Sequence, residues 1–172
     1  MHCPPAAVYL LLLAAGTAAA VPAGWKPEDE VLLLPRALVG WQHPRGLTLS
    51  LGVSINWQRA GGGFHGPLLQ LDLGQHAQGL SAGWRQGVHM GAPVLSWGAA
   101  LSLARSCDSR FWDGLGEAGE DHPYVEPGAW LAGPVIMFEA LIVEVRGGVL
   151  RHLSGPRADD KWVWTMGLGV GL

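Results

Sequence analysis

The sequence predicts an all-β fold, a closed antiparallel up-and-down β-barrel of about eight strands. Three observations predict it. Apolar residues recur with a period of two along most of the chain, glycines number 26 among 172 residues, and short Gly-containing turns separate the alternating runs. The composition agrees, with 49% hydrophobic and 15% charged residues, where an ordinary soluble domain carries about 25% charged. Nine tryptophans and many aliphatics exclude disorder. Helices are disfavoured because each interior Gly costs about 1 kcal/mol relative to Ala. A net charge of −3 provides no basic footprint for nucleic acid.

Residues 1–20 read as a signal peptide. Val8 to Ala15 form an apolar stretch, and Ala18-Ala19-Ala20 offers a small-residue cleavage site. Residues 21–30 read as a polar leader, and residues 31–172 as the barrel. On this reading Cys3 departs with the signal, which leaves Cys107 as an isolated loop thiol.

A first strand is expected around Leu34–Gln42. The run 47–57 is the cleanest: Leu47, Leu49, Leu51, Val53, Ile55 and Trp57 share one face, opposite Thr48, Ser50, Gly52, Ser54 and Asn56. Further strands are expected at Pro67–Gln75, Leu80–Gln86 and Pro93–Ala104. Trp130–Glu139 alternates less regularly, and Leu141–Arg151 resumes the pattern. A last strand from Trp162 to Leu172 sets Trp, Met, Leu and Val against Val163, Thr165 and three glycines. His43-Pro44-Arg45-Gly46 and His76-Ala77-Gln78-Gly79 carry turn chemistry. The one long connection, 105–128, is acidic.

The second face of these strands is Ser, Thr, Gly, Ala and Asn, with isolated Asp72, Arg85, Glu144 and Arg146. A solvated face would carry many more charges. Two acids against two bases suit a narrow lumen in which charges must pair. The expectation is therefore a closed polar lumen, with those four residues as its network and the apolar face turned to lipid. Trp41, Trp57, Trp84, Trp130 and Trp162 lie within a few residues of turns, where interfacial aromatics belong.

The terminal run WVWTMGLGVGL resembles the last strand of bacterial outer-membrane β-barrels, although it ends in Leu172 where that class usually has Phe or Trp. The whole chain is similar in style to small eight-stranded barrels of the porin-like superfamily. The resemblance implies a monomer in the bacterial outer membrane whose partners are the lipid bilayer and the outer-membrane assembly machinery. Members of that class have diverse functions, so the resemblance speaks to location more than role; the expected function is a structural or interaction role, with loops 105–128 and Leu153–Asp160 presented outside.

Two other functions are compatible with the residues. Small outer-membrane lipid A deacylases place a His and a Ser two apart near the end of a late strand. His152 and Ser154 match that spacing, but Met166 stands where the orienting Glu is expected. A secreted soluble barrel with an apolar cavity at Leu49, Leu51 and Leu71 would instead bind a small apolar ligand. No metal site or cofactor is expected. His43, His76, His122 and His152 would gather at one barrel mouth, yet none has local metal-ligand spacing. The acidic loop lacks a calcium-loop pattern, and the glycine clusters lack phosphate-loop context.

Overall fold

The structure, a computed structural model, describes residues 31–59, 63–89, 93–107, 126–155 and 162–171. The expected signal peptide and leader, most of the acidic loop, His122, and Asp159 and Asp160 lie outside the described residues. Eight strands form: β1 (Val31–His43), β2 (Gly46–Arg59), β3 (Gly63–Gly74), β4 (Ala77–His89), β5 (Pro93–Ser106), β6 (Trp130–Ala140), β7 (Val143–Ser154) and β8 (Trp162–Gly171). Each pairs antiparallel with its chain neighbour, and β8 returns to β1 to close the barrel. Every expected strand is present, and most run longer than the alternation alone marks. β3 begins at Gly63 rather than Pro67 because pairing with β4 continues through Phe64 and His65.

Strand parity sorts the faces as the alternation predicts. Ser50, Ser54, Asn56, Gln70, Asp72, Arg85, Ser102, Glu144, Arg146 and Thr165 are buried inside. Leu101, Ile136, Trp164 and Met166 point outward, each with about two-thirds or more of its surface exposed (71%, 67%, 74% and 68%). The outer face is less uniform around β2 and β3. Register places Leu71 on the outer side beside Leu51, yet Leu71 and Leu73 are buried in a cluster with the partly buried Leu49.

The lumen is not polar throughout, which corrects the sequence expectation. Ala104, Leu131, Val135, Leu150 and Val163 form an apolar cluster inside one end, and Leu68, Ala100 and Met137 form another. Three of these residues lie on β6. Leu131, Val135 and Met137 face in while Ile136 and Phe138 face out, so that strand is apolar on both sides and its alternation is blurred.

The barrel ends differ. Val31, Gly171 and the tight β6–β7 connection share one end, here called the terminal end. The β5–β6 connection at 107–129 and the β7–β8 connection at 155–161 share the other, the loop end. The sequence reading runs a strand through Leu141, but Leu141 and Ile142 form the β6–β7 turn. Leu141 adopts a left-handed φ of 54°, which costs a non-Gly residue about 1–2 kcal/mol. The turn is anchored by the amide of Gly171 donating to the carbonyl of Ile142 at 2.6 Å. No Gly or Asn marks it in the sequence. Replacing Leu141 with Asn, which tolerates that conformation, is expected to stabilise the barrel by about 1 kcal/mol, read as a higher urea midpoint.

Candidate functional site in the lumen

The interior of a small barrel leaves no room for bulk water, so a charge placed there must find a protein partner. The strands deliver an alternating series of such partners. Arg85 on β4 reaches Glu139 on β6 (Nη2 to Oε2, 2.7 Å), and the same carboxylate oxygen lies 3.2 Å from Arg36 on β1. Arg36 also pairs with Glu144 on β7. Glu144 accepts from Arg146 at 2.5 Å, and Arg146 bridges to Asp72 on β3 at 3.0 Å. Arg45, from the β1–β2 turn, closes the series on Asp72.

Asp72 is the hub. It is fully buried, and besides the two arginines it accepts from Ser50 Oγ at 2.6 Å and Gln70 Nε2 at 2.7 Å. Arg45 donates further to Gln42 at 3.1 Å and Ser102 at 2.9 Å. Gln42 in turn donates to Thr165 on β8 at 3.1 Å, which ties β1, β5 and β8 to the same network. At the opposite extremity, Arg85 donates to Ser96 at 3.0 Å and lies over the Phe64 ring, 5.3 Å from its centroid.

All four residues expected from the sequence, Asp72, Arg85, Glu144 and Arg146, stand in this series. Three members were missed: Arg36, Arg45 and Glu139. Arg36 and Glu139 lie on strands whose faces the alternation left unassigned. Arg45 sits in a turn whose chemistry suggests exposure, but its side chain folds back into the barrel. The signal for it lies elsewhere in the chain. A Cβ built on Gly79 would stand 2.5 Å from Arg45 Nη2, so the absence of a side chain there makes the space the guanidinium fills. The expected balance of two acids and two bases becomes three carboxylates and four arginines.

Chemically this is an internal clamp. Each carboxylate is bonded to two arginines, so none stands ready as a general base. Nor do the described residues form an apolar cavity lined by Leu49, Leu51 and Leu71.

His152 and Ser154 follow on β7 at the loop end, on one strand face. His152 is buried with neither ring nitrogen hydrogen-bonded, and Ser154 is exposed. Met166 faces outward, on the other side of the wall from His152. The described residues therefore hold a His–Ser spacing without the hydrogen bond and orienting carboxylate that nucleophilic catalysis needs. His43, His76 and His152 do lie at the same end, but no group of three metal-ligating side chains forms among the described residues. Cys107 is buried and disulfide-bonded, so the reading of an isolated thiol is corrected; the other cysteine of the sequence, Cys3, lies outside the described residues.

Of the tryptophans, Trp130 and Trp162 open strands at the loop end, and Trp41 lies two residues before a strand finishes there. Trp57 lies toward the terminal end. Trp84 stands nearer the middle of its strand, stacked on Trp57 with centroids 5.6 Å apart. Arg105 lies over the Trp130 ring at 5.5 Å.

Comparison with protein-family models, with curated proteins and with solved structures returned no match.

Replacing Asp72 with Asn leaves two buried arginines short of their shared carboxylate. The expected cost is about 3–5 kcal/mol, read as a fall in the denaturant midpoint. Gly79→Ala, whose Cβ would crowd the Arg45 guanidinium and stand 3.0 Å from the Leu103 carbonyl oxygen, should lower the midpoint by less.

Proposed function

We propose that this chain is a bacterial outer-membrane β-barrel with a structural or interaction role, exported by its signal peptide and closed to solute passage. One observation carries the reading: the faces are inverted relative to a soluble barrel. Leucine, isoleucine, valine and tryptophan cover much of the outside, while the paired charges and the buried hydroxyl-bearing side chains lie inside, beside two apolar clusters. In water that outer surface would be a large exposed apolar patch; in lipid it is the required solvent-facing surface.

The two ends support an orientation. Barrels of this kind carry short turns on the periplasmic side and longer loops outside. The loop end, with 107–129 and 155–161, then faces the exterior, and the terminal end faces the periplasm. Exposed tryptophans toward both ends suit two membrane interfaces. The interaction role falls to the external loops, because the lumen is occupied by its own charges. The partners are the bilayer and the assembly machinery, the latter reading the last strand, and the protein works as a monomer without nucleic acid.

Expression in a Gram-negative host tests this. The protein is expected in the detergent-extracted envelope fraction, with faster gel migration unboiled than boiled. Recovery as a soluble periplasmic monomer would refute the proposal.

A further inference from the structure

Six of the charged side chains in the lumen lie on strands, and all are paired, whereas two exposed arginines of the outer face, Arg59 and Arg151, form no ion pair with a described residue. Arg59, the last residue of β2 at the terminal end, is exposed and forms no hydrogen bond or ion pair with any described residue. It borders an open concavity of about 320 Å³ on the outside of β2 to β5, within the range of small-molecule sites, about 300–1,000 Å³.

Two rungs of the sheet build this concavity. On the rung nearest the barrel end, Arg59 pairs with Gly63, Gly63 with Val88, and Val88 with Leu95. One rung toward the barrel middle, Trp57 pairs with His65, His65 with Gln86, and Gln86 with Trp97. Gly63 supplies the floor, since a Cβ added there would meet nothing closer than 3.7 Å. The lining therefore grades around the barrel. A guanidinium stands on β2, a carboxamide and Val88 on β4, and Leu95 and Trp97 supply the rest of the apolar part on β5. Beside it, Trp57, His65 and Trp84 pack ring against ring, with centroids 5.6–5.9 Å apart.

An unpaired cation beside an apolar wall, on the outside of a membrane-spanning barrel, complements an anionic amphiphile. We propose that this concavity is a binding site for one glycerophospholipid of the leaflet at the terminal end. Its phosphodiester pairs with Arg59, its ester region lies at the Gln86 amide, and the upper acyl chain runs along Leu95 and Trp97. No free phosphate satisfies this site, because most of its lining is apolar. The inference rests on the membrane reading above.

The test is native mass spectrometry of the full chain in detergent, titrated with phosphatidylglycerol. The wild type is expected to retain one lipid, and Arg59→Gln to weaken that binding about five-fold. Arg151→Gln, which removes an exposed cation near the loop end, should bind as the wild type does. Diacylglycerol should bind as weakly as phosphatidylglycerol does to Arg59→Gln, and inorganic phosphate should not compete. Equal binding by Arg59→Gln, equal loss in Arg151→Gln, tight binding of diacylglycerol, or displacement by inorganic phosphate would each overturn the site. If the wild type also lacks heat-modifiable migration, the membrane reading falls with it. A heat-modifiable barrel that fails only the lipid titration removes the site alone.

Discussion

The constraint on which this fold depends is the electrical closure of a narrow interior. Eight strands make a lumen that side chains just fill, and seven of those side chains are charged. Their alternation of sign, from Arg85 at one extremity to Arg45 at the other, lets each carboxylate lie between two guanidinium groups. Asp72 shows how far the surroundings are built to this end. Ser50 and Gln70 complete its hydrogen bonds, and Gly79 clears the space in which Arg45 approaches it. Such a network contributes little net stability over well-packed apolar residues, but losing any one partner is costly.

The remaining interior volume is filled by hydrocarbon. Leu131, Val135, Leu150 and Val163 gather beneath the loop end, and Leu68, Ala100 and Met137 lie farther in. A lumen filled in this way is a rigid pillar within the wall. It leaves the chain's exchanges with its surroundings to two surfaces, the outer face and the loops. The outer face is itself differentiated. Around β5 to β8 large apolar side chains stand exposed, whereas near the terminal end of β2 to β4 an arginine, an imidazole and stacked indoles mark a polar boundary.

Period-two alternation made most of this legible beforehand. Where one face was apolar and the other small or polar, as in 47–57 and 162–171, strand and facing followed together. Reading failed where that contrast vanished. β6 is apolar on both sides, so neither its parity nor the inward Glu139 could be assigned. The turn at Leu141 and Ile142 carries none of the residues that favour a left-handed backbone, and apolar continuity concealed it. Arg45 was hidden for another reason: a His-Pro-Arg-Gly turn describes the local backbone well but says nothing about a long side chain returning through the mouth. The partner that draws it inward lies 27 positions away. Long-range charge complementarity of this kind has no local spacing to detect.

The distribution of the seven charges along the chain bears on how the barrel is assembled. The first five strands and their turns bring three arginines, Arg36, Arg45 and Arg85, and a single acid, Asp72. Glu139 and Glu144, the partners of Arg85 and Arg36, arrive only with β6 and β7, together with Arg146. A half-built sheet therefore presents uncompensated positive charge on the face that will become the interior, and such charge is costly to remove from water. Completing the ring gives Arg36 and Arg85 their carboxylate partners at the same moment that it satisfies the last backbone edge. Burial of the inner face and closure of the sheet are thereby coupled, because both wait on the hairpin that brings Glu139 and Glu144.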